Sequence, residues 1–264
     1  MRIPFLILIF LCFKSFGQSI NYSDLRFITV DEAPANYLDS SGELSGFVTE
    51  IIKQLQNQLQ IDTKIEVMSE ARAIRTLDSS PNVIMFSISR SEERESKYHW
   101  LAHVLTKRWI FFSRADFPYQ ISKLPDAHSS IRVGVIRGDI RESWLQKKQV
   151  PNLVSILNYN NAVEMLIRDR IGLLFYESFG VFTTLKSLGY GHEDVKSQLV
   201  ATESDVYIVM SKSKGDSILV SELQNQITTL KKSDWYSSHL NRWIKKLNDA
   251  GVADAWSAKG VLKY

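Results

Sequence analysis

One cysteine, Cys12, occurs in 264 residues, and it lies inside an apolar N-terminal run. The chain beyond it has no thiol. That excludes disulfides, a cysteine nucleophile and a cysteine metal site there, and leaves the core as the source of stability. There is no low-complexity tract, no Gly/Ser linker and no repeat of a solenoid-like period. Motifs for enzymatic chemistry are missing too: no Ser-His-Asp order, no HExxH, no Gly-rich phosphate loop and no His/acid metal cluster. Charge of one sign is also lacking. The formal net charge is +3, and without Arg2 and Lys14 of the N-terminal run 30 basic residues face 29 acidic ones. That balance points to neither nucleic acid nor an anionic membrane.

What is present begins with "MRIPFLILIFLCFKSFGQ". A basic residue precedes an apolar run from Ile3 to Phe13, and small residues follow at Ser15 and Gly17. This is the pattern of a signal peptide over 1–17, cleaved near Gly17-Gln18. The run is short for a membrane span. An uncleaved anchor and a lipoprotein site at Cys12 are the alternatives. The expectation is export, most simply to a bacterial periplasm.

The whole chain is 44% hydrophobic and 23% charged, ordinary for a protein with a core. It alternates strand and helix patterns. "LRFITV" reads as a strand. "GFVTEIIKQLQNQL" has Phe47, Val48, Ile51, Ile52, Leu55 and Leu59 on one helical face. "TKIEVM", "EARAIRTL" and "NVIMFSI" continue as strand, helix and strand. A second series runs through "IRVGVI", "NLVSILNY", "NNAVEMLI", "IGLLFYE" and "SFGVFTTLKSLG", with Asp139 placed to cap a helix. Such alternation predicts parallel sheets covered by helices. After "DVYIVMSK", two amphipathic helices predict a cover for the first unit.

In open α/β sheets, ligands bind beyond the carboxyl ends of strands. Asp31 and Tyr37 follow the first strand. Ser87, Ser89 and Arg94 follow "NVIMF", Asp139 follows "VGVI", and Glu177 follows "IGLLF". Arg94 can grip a carboxylate bidentately beside the two serine hydroxyls. Glu177 and Asp31 can receive an ammonium group, so the set suits a zwitterion. Each residue also has a plainer reading. Arg94 and Arg72 can be solvated helix charges, and Glu177 can be a helix cap. The tryptophans Trp235 and Trp243 sit in a helical stripe and read as packing.

Several of these stretches together resemble the periplasmic solute-binding proteins of family 3, the polar amino acid type. "GELSGFVTEIIKQLQNQLQ" is similar to the family's opening helix, "SISRSEERESKYHW" to its arginine-bearing segment, "IRVGVIRGD" to the start of its second lobe, and "RDRIGLLFYES" to its acid-bearing strand end. The resemblance implies an α/β, two-lobed periplasmic-binding-protein-like (type II) fold. Each lobe would be a mostly parallel sheet with flanking helices, joined by a two-strand hinge with crossings near Thr106–Ser113 and Ala201–Val209. Lobe 1 would span 18–108 plus 207–264, and lobe 2 would span 109–206. It also implies that Arg94 binds the ligand's carboxylate, that Ser87 and Ser89 line the same pocket, and that Glu177 binds the amine.

Two departures stand out. Asp139 replaces the usual hydroxyl residue, so either it turns away as a cap or the ligand carries a cation there. Tyr37 is the one candidate for a stacking aromatic. The implied function is binding of an amino-acid-like solute for an ABC permease, without a cofactor, by a monomer. A small-acid dehydratase-like enzyme and a ligand-presenting partner of a membrane sensor are the alternatives.

Overall fold

The structure is a computed structural model that describes residues 22–39, 41–125, 129–252 and 255–264. The expected leader, residues 1–17, lies outside the described residues. No helix among the described residues is long and apolar enough to cross a membrane.

The first unit opens with β1 (Arg26–Thr29). A small hairpin of β2 (Tyr37–Leu38) and β3 (Leu44–Ser45) leads into α1 (Phe47–Gln58), followed by β4 (Ile65–Val67), α2 (Glu70–Ser79) and β5 (Val83–Ser89). Helix α1 forms as its spacing predicts: Phe47, Val48, Ile51, Ile52 and Leu55 are all buried on one face. Gly46 starts it with φ 127°, and a Cβ there would lie 2.4 Å from the Ala35 carbonyl oxygen. Only glycine lets the two backbones approach that closely.

One turn of helix, α3 (Glu92–Glu95), precedes β6 (Tyr98–Arg114). The second unit contains β7 (Val133–Ile136), α4 (Ile140–Lys147), β8 (Leu153–Ile156), α5 (Tyr159–Ile167), β9 (Leu173–Tyr176) and α6 (Ser178–Ser187). The chain returns through β10 (Val195–Ser211) and ends with α7 (Ser217–Lys231), α8 (Asp234–Asp249), β11 (Trp256–Ala258) and β12 (Val261–Lys263).

The strand order is β4-β1-β5-β10-β6-β9-β7-β8. β1 runs parallel to β4 and β5, and β7 runs parallel to β8 and β9. Between these parallel groups lie β6 and β10, 17 residues each and antiparallel, paired from Tyr98↔Ser211 to Arg114↔Val195 with several shifts of register along the way. Two sets of apolar clusters flank them. On one side Leu55, Phe86 and Val206 pack with Leu223, Trp243 and Leu247 of α7 and α8. On the other, Phe112, Val163 and Leu185 form one layer and Phe111, Val135 and Phe175 another. The fold is therefore two-lobed α/β with mostly parallel sheets, as expected, and α7 and α8 cover the first unit.

Two elements depart from the sequence reading. Strand β10 starts at Val195 rather than near Asp205, because its early half pairs with β6 while leaving polar side chains exposed. Periodicity of burial therefore marks only the later half. The terminal hairpin β11–β12 was not anticipated; β12 pairs with β6 at Leu262↔Leu105.

Leu55 is fully buried in the larger core. Leu55→Ala is expected to lower unfolding free energy by about 2–5 kcal/mol, the usual cost of an uncollapsed core cavity. Urea denaturation followed by circular dichroism measures it, and a loss well under 1 kcal/mol would contradict this packing.

Candidate ligand-binding cleft

The strand ends of both units meet around a cavity of about 380 Å³. Its walls include Asp31, Glu32, Glu70, Ser87, Ser89 and Arg94 from the first unit and Asp139, Ile140, Arg141 and Tyr159 from the second. The volume suits a small metabolite.

Ser87 arrives there through a local distortion. It has φ +69°, and the pairing of β10 with β5 slips between Tyr207↔Ile88 and Ile208↔Phe86, which leaves Ser87 as the extra residue of a bulge. Bulges re-aim side chains and gather at functional sites. The Ser87 hydroxyl donates to the Asn36 side-chain oxygen. Ser89, two residues on, accepts at its hydroxyl from Ser204 at 3.0 Å.

The charged run after β5 sorts itself by position. Arg90 lies 5.1 Å from the ring centroids of both Trp100 and Tyr207 and donates to Glu95 at 2.7 Å. Glu93 pairs with Lys147 of α4 on the exposed rim, across the two units. Arg94 turns inward. Its side chain is 20% exposed, its Nη1 donates to the Ser89 carbonyl at 3.2 Å, and its Nη2 is 3.4 Å from Glu70 Oε1.

On the facing wall, Asp139 caps α4 by accepting from the Arg141 backbone N–H at 2.8 Å. It also takes the Arg141 guanidinium at 2.8 and 2.5 Å. Burial would raise the Asp139 carboxyl, but the Arg141 charge and hydrogen bonds hold it below the usual range. The guanidinium lies 4.4 Å from the Tyr176 ring centroid, and Tyr176 stacks on Tyr159 at 4.6 Å. Asp139 thus serves both as a cap and as a cavity wall, with its charge answered by Arg141.

Glu177 sits differently from the expectation that it reaches a ligand. It is 1% exposed and does not line the cavity. Its two oxygens accept from the backbone N–H groups of Phe179 at 2.8 Å and Gly180 at 2.6 Å, capping α6. A Cβ at residue 180 would lie 2.4 Å from Glu177 Oε1, so glycine is needed for this cap. Burial pushes the Glu177 carboxyl up to about 7; Lys107 and Arg141 oppose the rise and Glu32 adds to it.

Tyr37 is likewise outside the cavity, where its hydroxyl accepts from Lys246 at 2.8 Å. Arg72 is exposed on α2 and lines a separate hollow of about 690 Å³ beside β4. The structure therefore brings Arg94, Ser87, Ser89, Asp31 and Asp139 together and leaves Glu177, Tyr37 and Arg72 elsewhere.

Residues not picked out from sequence complete the site. Lys107, 3% exposed within β6, pairs with Glu32 Oε1 at 2.6 Å. Arg141 of the second unit approaches the same oxygen at 3.9 Å. The available signals were a lysine inside the apolar run "LTKRWIFF" and an arginine two residues after a predicted helix cap. Among the described residues, no group of His, Cys, Asp and Glu is arranged to hold a metal ion.

A two-lobed α/β protein with a polar cleft at its strand ends is the architecture of a solute-binding protein. Residues 25–246 match the bacterial extracellular solute-binding proteins, family 3, and the chain belongs to that family. Solved structures share the fold at low identity. Holo ArgBP from T. maritima is 18% identical at a TM-score of 0.65, covering 83% of this chain and 95% of that one. An ABC uptake transporter substrate-binding protein from Streptococcus pneumoniae with bound histidine is 14% identical at 0.68, covering 83% and 92%. A histidine kinase sensor domain with similarity to periplasmic binding proteins is 14% identical at 0.69, covering 84% and 97%. None of the curated proteins compared with the chain matches it.

Glu177 yields a pH signature. Its carboxyl rises from 4.5 to about 7 on folding, so the folded chain binds the proton more tightly than the unfolded chain. Stability should then fall as pH climbs from about 4.5 to about 7, by on the order of 3 kcal/mol from this group. Glu177→Gln should flatten that decline in melts recorded across the range. Equal slopes in the two proteins would mean that Glu177 stays ionised.

Proposed function

We propose that the chain is an exported solute-binding protein whose lobes, 18–108 plus 207–264 and 109–206, close on a small zwitterionic or carboxylate solute of amino-acid type. The observation that carries this reading is the inward guanidinium of Arg94, in the same cavity as Ser87 and Ser89 and facing residues of the other unit. The carboxylate of the solute lies on Arg94, with the two serines beside it and Asp31 at the rim. Closure follows when the facing wall of Asp139, Ile140, Arg141 and Tyr159 covers the other side of the solute, which stabilises the closed state by the differential affinity. The two strands β6 and β10 supply the crossings near Thr106–Ser113 and Ala201–Val209.

Periplasmic location rests on the leader pattern and on the extracellular character of the family. The partner is an ABC permease, in keeping with transporter proteins of the same fold. A membrane sensor is the second reading, favoured by the similarity to a histidine kinase sensor domain. Genes for a permease and an ATPase beside this one would support import, and a lone sensor kinase gene would support presentation.

Purified protein screened by thermal shift against the twenty L-amino acids is expected to gain stability with at least one of them, since a ligand that binds the folded state raises the melting point. Arg94→Ala should then weaken that ligand roughly tenfold to a hundredfold, the worth of a charge-assisted contact. Unchanged affinity by calorimetry would remove Arg94 from the site.

A further inference from the structure

Arg72 lines no part of the cleft, yet it stands at a space of its own. A hollow of about 690 Å³ lies at the outer margin of the first unit, bounded by the β2–β3 hairpin, α1, β4 and the start of α2. Val67 and Met68 line both this hollow and the cleft.

The walls combine two chemistries. One is apolar. Leu44, Ile65 and Met68 are half-buried, and Leu38 of the hairpin is 47% exposed, so oily surface stays open to the hollow. The other is cationic. Lys53, Lys64 and Arg72 line the space together with two acids, Glu43 and Glu66. Glu66 is already taken by Arg26 of β1, at 3.0 and 2.8 Å. Glu43 is exposed at the rim. Lys53 donates to the Leu44 carbonyl at 2.6 Å, which ties the hairpin to α1 without neutralising the ammonium. Among the described residues, neither Lys64 nor Arg72 is ion-paired. Both are exposed.

A simple anion gains from these cations alone, and a hydrocarbon from the oily wall alone. A molecule with an anionic head and an aliphatic body gains from both. Arg72 is the natural seat for the head, because a guanidinium grips a carboxylate through two N–H groups at once. Lys53 and Lys64 add a positive field around it. The size of the hollow is that of an ordinary small-molecule site.

We propose that the hollow beside β4 is a second ligand site, outside the cleft, for an amphiphilic anion: its carboxylate lies on Arg72 and its aliphatic chain lies against Leu38, Leu44, Ile65 and Met68. The site is separate from the solute site, since Arg94 lines the cleft and not the hollow.

The test is calorimetric titration with hexanoate, octanoate and decanoate, each kept below its micelle-forming concentration. Octanol and octylammonium serve as the uncharged and oppositely charged counterparts. The wild type should bind octanoate at one site, roughly tenfold tighter than hexanoate for the added methylenes. Octanol and octylammonium should bind far more weakly. Arg72→Gln should weaken octanoate roughly tenfold, and Lys64→Gln by less. Melting curves check that both variants are folded. Arg94→Ala should bind octanoate as the wild type does, which places the site outside the cleft. The proposal is overturned if the wild type binds none of the carboxylates, if octylammonium binds as tightly as octanoate, or if Arg72→Gln changes nothing. Loss of octanoate in Arg94→Ala would move the ligand into the cleft and overturn it as well. So would pelleting of the wild type with phosphatidylglycerol vesicles without any octanoate binding, since a membrane lipid would then be the occupant. These outcomes do not depend on whether an amino acid binds in the cleft.

Discussion

The antiparallel pairing of β6 with β10 is the constraint on which the rest depends. Each strand is 17 residues long, and together they link two parallel groups of strands that, among the described residues, share no other strand pairing. Because the pair runs through the molecule, the loops after β1 and β5 and the start of α4 face one another across a single cavity. Lys107 sits within β6 itself, buried, and binds the Glu32 carboxylate beside that cavity. A buried lysine without an acid would be costly, so this contact ties the first loop to the connecting strand.

Three of the four carboxylates around the cleft are paired with cations. Arg141 answers Asp139, Lys107 answers Glu32, and Arg94 leans on Glu70. Desolvated charges are tolerated when paired and hydrogen-bonded. These three pairs differ in tightness, and the loosest is the one nearest the group expected to bind the solute. Such grading lets the walls stay ordered while one cation remains exchangeable.

Much of the architecture was legible in the sequence, because helix α1 and the apolar strands carry strong burial periodicity at the predicted positions. The early half of β10 was hidden, since its side chains alternate into solvent and its backbone bonds leave no mark in composition. In the site, Arg94, Ser87 and Ser89 followed from the rule that ligands gather at strand ends. Glu177 satisfied the same rule and yet faces its own helix, because an acid before Ser-Phe-Gly can accept two backbone N–H groups at once. Glu70, Lys107 and Arg141 were not legible, because their importance comes from partners distant in sequence or from the direction of one side chain.

The sheet ends at β4, a strand of three residues carrying Glu66, whose carboxylate is held by Arg26 at 2.8 Å from the neighbouring strand. So brief and charged a margin offers little template for a second chain to add itself by backbone pairing. On that side of the sheet few free backbone N–H and C=O groups remain, so growth of the sheet by strand addition at β4 would find almost nothing to build on.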